Sequence, residues 1–430
     1  MSIQKFINTE LGEEMQYVTH ESGLRVYVFP KKNFSKYYAI YATEYGSQDS
    51  TFKVPGENEM ITVPDGIAHY LEHKMFEESD GTNAFDRFAN TGASSNAFTS
   101  FDITAYLFSC TDKFYENLDI LLDFVNHPYF TEENVQKEQG IIGQEIKMYD
   151  DEPEWRAFFN TLAAMFKENP VKIDIAGTVE SISHITPEIL YKCYNTFYNP
   201  ANMTLVLVGD IDINEALKYV DKHITPGRNL GKIERFVPKE PKECAQSYIE
   251  QTLSVSQPIF RIGFKDNKPG MYGTELLKKE IATEIILEVL FGKSGDLYLE
   301  MYESGVIDST FGVETELEPK FGYTIIGGDS AEPEKVYEII KNHIDKTKET
   351  GIDKSLIDRA KKVLISQDIR LFNSVENMGN TFVRQLINGQ NPFEYKDVVE
   401  SITYDEIYDR LCEHFDTSNC VLSVIRPSED

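Results

Sequence analysis

The feature that most constrains this chain is the motif His69-x-x-Glu72-His73, which lies in a stretch with a helical pattern. Asp65 precedes the stretch and is predicted to cap its N-terminus. Because residues four positions apart lie one above the other on a helix, His69 and His73 can both point at one metal ion. Glu72 lies close to the same face, where a carboxylate can accept a proton from a nearby water molecule. The pattern therefore predicts a catalytic zinc site; the alternative is that two core or surface histidines share this spacing by chance.

A second predicted helix, over residues 131–151, offers the acidic ligand that such a site needs. A catalytic zinc ion takes three protein ligands and keeps a fourth position open. Glu138 and Glu145 are seven residues apart, which is two helical turns, so they share one face of this helix. Apolar residues lie in the same stripe: Val135, Ile142 and Ile146. The face is predicted to be half buried, where a carboxylate needs a partner or a metal; the alternative is two solvated glutamates on a charged helix.

These two elements together resemble the insulinase/pitrilysin family of zinc peptidases, which includes mitochondrial processing peptidase and small bacterial members. The shared features are the inverted zincin motif His69-x-x-Glu72-His73 and the pair Glu138 and Glu145. The resemblance implies that His69, His73 and Glu145 bind Zn²⁺ and that Glu72 is the catalytic base. It also implies that Glu138 supports the site without binding the metal, by orienting a ligand imidazole.

The likeness continues in residues 92–106, which in the family form a strand beside the metal that pairs with the substrate backbone. An extended peptide added to such a strand is held by main-chain hydrogen bonds, with modest sequence preference. The family also uses an Arg and a Tyr from the half without metal; Tyr323 is the candidate for the Tyr, and no Arg lies near it in the sequence. This departure leaves open whether a second subunit completes the site. The implied substrate-binding residues are Asn96, Ala97, Phe98, Thr99, Ser100 and Tyr323.

The second half of the chain repeats the first. Residues 285–289 fall opposite the metal motif with a helical pattern but without either histidine, and residues 367–370 echo residues 144–147. A third echo links residues 185–207 to residues 402–424. A chance match between two amphipathic helices is the alternative for any one segment, but three segments recur in the same order. The repeat therefore predicts a duplicated domain in which only the first copy binds metal.

The predicted fold is α+β, with two homologous domains that each hold a mainly antiparallel sheet flanked by helices, as in processing-peptidase-like metallohydrolases. The predicted boundaries are a metal-binding catalytic domain at 1–224, a proline-containing linker at 225–243 and a domain without metal ligands at 244–430. Within the first domain, residues 24–29 and 38–44 are predicted to form a hairpin, and residues 203–208 a buried strand.

Charge and composition limit the partners. With 42 basic and 71 acidic residues the net charge is −29, which argues against nucleic acid and against anionic membranes, and favours basic peptides if the charge lines a cavity. The five cysteines are scattered, as expected of reduced thiols. No apolar run approaches the roughly 20 residues of a membrane span, and residues 1–15 lack the pattern of a signal peptide, so a cytoplasmic location is expected.

The sequence thus predicts a zinc-dependent endopeptidase that hydrolyses unfolded peptides inside an enclosed chamber between paired domains. It is expected to act as a homodimer or as a heterodimer with a metal-free relative. Two alternatives remain: a non-catalytic assembly or scaffold subunit of a peptidase-like heterodimer, and a zinc hydrolase acting on a non-peptide amide.

Overall fold

The computed structural model describes residues 2–225 and 233–428, and within them the chain alternates between sheets and helices. The elements of the first half are β1 (Gln4–Asn8), β2 (Glu13–Thr19), β3 (Arg25–Pro30), β4 (Tyr37–Thr43), β5 (Thr51–Lys53), β6 (Met60–Thr62), α1 (Ile67–Lys74), α2 (Ala84–Thr91), β7 (Ser94–Thr99), β8 (Thr104–Cys110), α3 (Phe114–Asn126), α4 (Glu132–Asp150), α5 (Pro153–Met165), α6 (Val179–Ile182), α7 (Pro187–Phe197), β9 (Met203–Gly209) and α8 (Ile213–His223).

The second half has a similar mixture of elements. They are β10 (Tyr248–Leu253), β11 (Ile259–Lys265), α9 (Gly273–Phe291), α10 (Asp296–Glu303), β12 (Gly312–Leu317), β13 (Gly322–Asp329), α11 (Pro333–Thr350), α12 (Lys354–Leu371), α13 (Val375–Ile387), α14 (Tyr395–Ser401), α15 (Tyr404–His414) and β14 (Cys420–Pro427).

Two large sheets have the same topology, which confirms the predicted α+β fold with two homologous halves. The first has the order β1-β2-β3-β9-β4-β8-β7 and the second β10-β14-β11-β13-β12. In each sheet one neighbouring pair is parallel, β3 with β9 and β10 with β14, and the other pairs are antiparallel. Strands β3, β9, β4, β8 and β7 therefore correspond one for one to β10, β14, β11, β13 and β12. The first sheet adds β1 and β2 at one edge.

The predicted hairpin is wrong, because β9 lies between its two strands. β3 pairs in parallel with β9 and β4 pairs antiparallel with it, so β3 and β4 do not touch as partners. Every residue of β9 is buried, as the apolar run from Met203 predicts for a strand in the centre of a sheet. The connection between β3 and β4 is short, and nothing in it reveals that a strand from much later in the chain separates them.

The chain forms two compact units, and neither unit is continuous in sequence. Unit 1 comprises Met1–Ile146, Asp174–Phe236 and Ile369–Ile387, and unit 2 comprises Lys147–Ile173, Val237–Asp368 and Asn388–Asp430. Helix α5 packs on β11 and β14, whereas α13 packs on β9 and β4. Each half of the chain therefore contributes a helix to the sheet of the other half, and the predicted boundaries at 1–224 and 244–430 differ from the compact units at these two helices.

The two faces of the first sheet pack against different elements. Side chains alternate between these faces along each strand, and this alternation decides which residues reach the site. On β8 the side chains of Tyr106 and Phe108 point towards α1, α2 and α3, where Tyr106 packs on Phe76 and Phe108 packs on Phe88. Leu107 and the other alternate residues of β8 point to the opposite face, because successive strand side chains alternate. Helix α13 covers part of that opposite face.

Part of the predicted linker lies outside the described residues, namely 226–232. The described remainder is tied to its surroundings: the Lys53 amide donates to the Glu234 carbonyl at 3.0 Å, and the Glu240 carboxylate accepts from the amides of residues 167–169 at 2.8–2.9 Å. Over residues 2–225 and 233–428, no helix combines the length and the apolar character that a bilayer span requires.

Candidate metal centre

Helix α1 carries the motif, and a glycine sets the angle at which the chain enters it. Gly66 has φ of 88°, and a Cβ on this residue would come within 2.4 Å of the Ala176 carbonyl oxygen. Asp65 is therefore not the N-cap: that position is Gly66, which has no side chain with which to cap the helix. The Asp65 carbonyl instead accepts a 2.8 Å hydrogen bond from Ser181 Oγ, which holds the loop before the helix.

The three predicted ligands converge. His69 and His73 lie on adjacent turns of α1 with ring centroids 4.6 Å apart. His69 Nε2 is 3.7 Å from Glu145 Oε1, and His73 Nε2 is 3.5 Å from Glu145 Oε2. Glu145 comes from the 19-residue helix α4, far along the chain. One ligand atom from each of the three residues lies within 4.8 Å of the others.

These three residues fit a zinc ion. A tetrahedral zinc with bonds of about 2.1 Å separates its ligand atoms by about 3.4 Å, close to the two distances found here. The donor set, two imidazole nitrogens and one carboxylate, is that of catalytic zinc sites. The side chains of His73 and Glu145 are 27% and 22% exposed, so a water molecule or substrate can reach the fourth coordination position of the metal from solvent. His69, His73 and Glu145 would hold the metal.

Glu138 orients one of the imidazoles. His73 Nδ1 donates a 3.2 Å hydrogen bond to Glu138 Oε1, and its Nε2 lies 3.5 Å from Glu145 Oε2. Glu138 is itself buried and pairs with the fully buried Lys74 at 3.7 Å. Burial raises the pKa of Glu138, but the His73 hydrogen bond and the Lys74 charge outweigh it and hold the pKa below its usual value. Glu138 is therefore ionised at neutral pH and can fix the ring.

His69 is neutral at physiological pH. Burial, followed by the neighbouring His73, lowers the pKa of His69 to about 4. A neutral imidazole has the nitrogen lone pair that a metal requires. Its other nitrogen, Nδ1, is buried without a hydrogen-bond partner among the described residues. Burial lowers the pKa of His73 as well, but its hydrogen bond to Glu138 and nearby carboxylates outweigh this and raise the pKa above its usual value.

Glu72, the predicted base, is buried beside the ligands. Only 8% of the residue is exposed, and Thr99 Oγ1 donates a 2.7 Å hydrogen bond to its Oε2. Burial raises the pKa of Glu72, and the Thr99 hydrogen bond partly opposes that rise. Sequence reasoning did not find this contact, because the two residues lie on different elements and no spacing rule connects them. The family resemblance singled out Thr99 only as a substrate contact.

The predicted substrate-binding strand is an edge. β7 is last in the order of the first sheet and pairs only with β8 among the strands of the described chain. It holds Asn96, Ala97, Phe98 and Thr99, and the Ala97 amide is satisfied by Asn96 Oδ1 at 2.9 Å. Ser100 lies just after the strand, where its Oγ donates to Asp102 at 2.9 Å. The strand therefore has a free side at which an extended peptide can add.

Tyr323 lies in unit 2, on β13. It is 3% exposed, packs near Phe158 and Phe321, and donates its hydroxyl to Glu316 Oε2 at 2.5 Å. Its role towards a substrate stays a prediction.

Comparisons with known proteins agree with the predicted family. Residues 62–179 match the family model described as insulinase (peptidase family M16), and residues 184–364 match the one described as peptidase M16 inactive domain. The chain is 43% identical to an uncharacterized zinc protease of Bacillus subtilis, YmfH, over 97% of this chain and 98% of that protein.

A solved structure gives the same family, and a more distant one shares the fold. A putative M16-like peptidase from Alicyclobacillus acidocaldarius superposes with a TM-score of 0.91 and 35% identity, covering 100% of this chain and 99% of that one. Pitrilysin shares the fold with a TM-score of 0.75 at 18% identity, covering 100% of this chain and 47% of pitrilysin. On these grounds the chain belongs to the insulinase family of peptidases, M16.

Proposed function

We propose that this protein is a zinc-dependent endopeptidase that hydrolyses extended segments of unfolded peptides. The observation that supports it best is the convergence of His69, His73 and Glu145 on one point, with the buried carboxylate of Glu72 beside them. In a member of a peptidase family, an intact donor set with a base next to it supports catalysis rather than a scaffold role.

Zinc, when bound by His69, His73 and Glu145, supplies Lewis-acid chemistry: it polarises a carbonyl and lowers the pKa of a water molecule. Glu72 performs the proton transfers. Thr99 holds Oε2 of Glu72, so Oε1 is the oxygen that accepts the proton from water and then delivers it to the leaving nitrogen. The burial that raises the pKa of Glu72 makes it a stronger base than a solvated glutamate.

The substrate is proposed to bind as an added strand at β7. Main-chain hydrogen bonds along a strand edge require an extended backbone, so an unfolded peptide can bind and a folded domain cannot. When the peptide binds, its carbonyl can replace Asn96 Oδ1 as acceptor for the Ala97 amide.

We further propose that the two homologous halves enclose a chamber, that the net charge of −29 favours basic peptides, and that the protein works as a homodimer or with a metal-free relative. The five unpaired cysteines favour a reducing compartment, and we propose the cytoplasm.

The test is cleavage of a random quenched-peptide mixture by the zinc-loaded protein, with and without a chelator, beside a native-mass measurement. We expect about one zinc ion per chain, cleavage that chelation abolishes, and a fall in kcat of about 100-fold or more for Glu72→Gln with zinc retained. Absence of bound zinc would favour the assembly-subunit alternative. Bound zinc with no cleavage of any peptide would favour hydrolysis of a non-peptide amide.

A further inference from the structure

A cavity of about 510 Å³ lies on the face of the first sheet opposite α1, and every residue that lines it belongs to unit 1. Its floor is formed by Phe98 of β7 and by Leu107 and Ser109 of β8. Its wall is helix α13, from which Asn380 and Val383 face the cavity. Its volume is in the range of pockets that bind small ligands, so one large side chain fits inside it.

The cavity and the catalytic groups lie on opposite faces of the same edge strand. The side chain of Thr99 reaches Glu72 on the α1 face. Because side chains alternate along a strand, Phe98 and Asn96 point to the other face, and both line the cavity. The cavity is therefore continuous with the free edge of β7.

From this geometry we propose that the cavity is a specificity pocket for a large apolar or aromatic side chain of the bound peptide. The inference rests on the proposed function, in which the peptide adds to β7 as a strand. The side chains of an added strand also alternate between the two faces. Every second residue of the peptide is then directed to the α13 face, and the residue nearest the cavity inserts into it.

The chemistry of the lining favours an apolar guest. Val383 and Ile103 are almost fully buried, and Phe98 and Leu107 add further apolar surface. The charged residues that line the cavity are Glu376, which is already paired with Lys36, and Arg384. A lysine or arginine side chain of the peptide would have to displace Lys36 to pair with the Glu376 carboxylate. The pocket therefore selects against the basic residues that the overall negative charge attracts.

The wall is held at a fixed position by direct packing. A Cβ on Gly379 would come within 2.3 Å of Tyr38 Cδ1, so the backbone of α13 lies directly against the Tyr38 ring. The Tyr38 hydroxyl donates a 2.7 Å hydrogen bond to Asn380 Oδ1 on the same helix. These contacts fix the width of the pocket before any peptide arrives.

The first test compares two quenched peptides that differ only by Phe or Ala at the position where cleavage profiling finds the strongest preference. We expect the wild type to have kcat/KM at least about 10-fold higher for Phe. Ser109→Phe places an aromatic ring inside the pocket and should reduce that preference at least about 3-fold. Leu107→Ala enlarges the pocket and should shift the preference to a bulkier biphenylalanine. Opposite shifts in the two variants cannot arise from a general loss of stability, which zinc content and melting temperature monitor.

The second test locates the side chain directly. A peptide with benzoylphenylalanine at the preferred position is irradiated with the Glu72→Gln protein, and the adduct is mapped by mass spectrometry. We expect the adduct on residues 376–387 or on Leu107. An adduct confined to Phe76 and its neighbours on the α1 face, or cleavage by the wild type without any preference between Phe and Ala, overturns the pocket and leaves the peptidase assignment intact. Failure of the zinc-loaded wild type to cleave any peptide refutes the proposed function instead. Peptides with benzoylphenylalanine at each position in turn then replace the profiled peptide, and their cross-links decide the pocket alone.

Discussion

Thr99 Oγ1 donates a 2.7 Å hydrogen bond to Oε2 of Glu72, so the edge strand that is proposed to bind substrate also holds the proposed base. This hydrogen bond couples the orientation of the base to the position of the strand. A peptide that pairs with β7 is therefore aligned against a carboxylate whose orientation is set by the same strand.

Replacing Thr99 with valine keeps the shape of the side chain and removes this hydrogen bond. We expect kcat to fall about 10-fold with little change in KM, because the base loses its orientation while the strand remains. Zinc content and melting temperature should stay at wild-type values. Thr51→Val is the matched control, since that hydroxyl bonds Thr62 on β6 and not Glu72. Equal kinetics for Thr99→Val and wild type would remove Thr99 from the mechanism.

The Glu138→Gln variant tests the orientation of His73. An amide accepts a weaker hydrogen bond from His73 Nδ1 than the ionised carboxylate does, so the imidazole is held less firmly. We expect zinc affinity to fall about 10- to 100-fold, as is common when such a partner is lost. Competition with a chromogenic chelator measures it. The His69→Ala variant shows how far zinc affinity falls when a ligand is lost. If the zinc affinity of Glu138→Gln falls as far, Glu138 itself binds the metal.

Removal of zinc should destabilise the wild type. A ligand that binds only the folded state stabilises it in proportion to the logarithm of its concentration over Kd. We expect a chelator to lower the melting temperature of the wild type and to leave that of Glu145→Ala unchanged, because the variant lacks the carboxylate that bridges the two imidazoles. Differential scanning calorimetry at matched pH distinguishes the two cases, and a chelator-dependent shift in both proteins would place the metal elsewhere.

Gly66→Ala should displace the metal helix. The residue has φ of 88°, and an added Cβ would meet the Ala176 carbonyl oxygen at 2.4 Å, so both backbone strain and a clash result. We expect a loss of about 2–4 kcal/mol in the free energy of unfolding together with weaker zinc binding. Gly92→Ala is the control for strain alone, since Gly92 has φ of 78° but open space around its Cβ position. It should cost about 1 kcal/mol and leave zinc binding intact.

Asp368 provides a pH-dependent test in the half without metal. It lies at the position that echoes Glu145, and burial together with the neighbouring Glu284 raises its pKa to about 7. An acid whose pKa is raised on folding stabilises the fold most at low pH, and that contribution is lost as the pH rises through the folded value.

The Asp368→Asn variant removes this titration. We therefore expect it to be more stable than the wild type by about 1–2 kcal/mol at pH 8, with an advantage that grows between about pH 4 and pH 7. Urea unfolding at three pH values measures the difference. An advantage that is the same at all three would mean that the carboxyl of Asp368 does not titrate in this range.

Much of the site could be predicted from the sequence because it depends on helical spacing. His69 and His73 four residues apart, and Glu138 and Glu145 seven apart, determine which side chains share a face whatever the rest of the fold does. The hydrogen bond between Thr99 and Glu72 depends on how a strand packs beside a helix, which no local pattern encodes. Asp65 was predicted as the cap because it has a suitable side chain, but the close approach of Ala176 admits only glycine at the next position.

For the fold, the sequence revealed the duplication and the buried strand, but not which strands pair or which sheet each helix covers. The duplication was visible because corresponding strands and helices keep their order, and β9 was recognised as buried from its apolar run. The insertion of β9 between β3 and β4 was missed, since the pairing partner lies far along the chain. The placement of α5 and α13 was missed for the same reason: an amphipathic stripe shows that a helix is buried, not which sheet buries it.

Helices α5 and α13 each pack on the sheet of the other half of the chain, and this limits where the polypeptide can be divided. A fragment that stops before α13 would expose the apolar surface of β4 and β9 to water, and a fragment that begins after α5 would do the same to β11 and β14. Neither product of a cut near residue 240 is a complete folding unit, although each contains a whole sheet. Two polypeptides made by such a cut would each need the other to cover its sheet, so they would fold only when produced together.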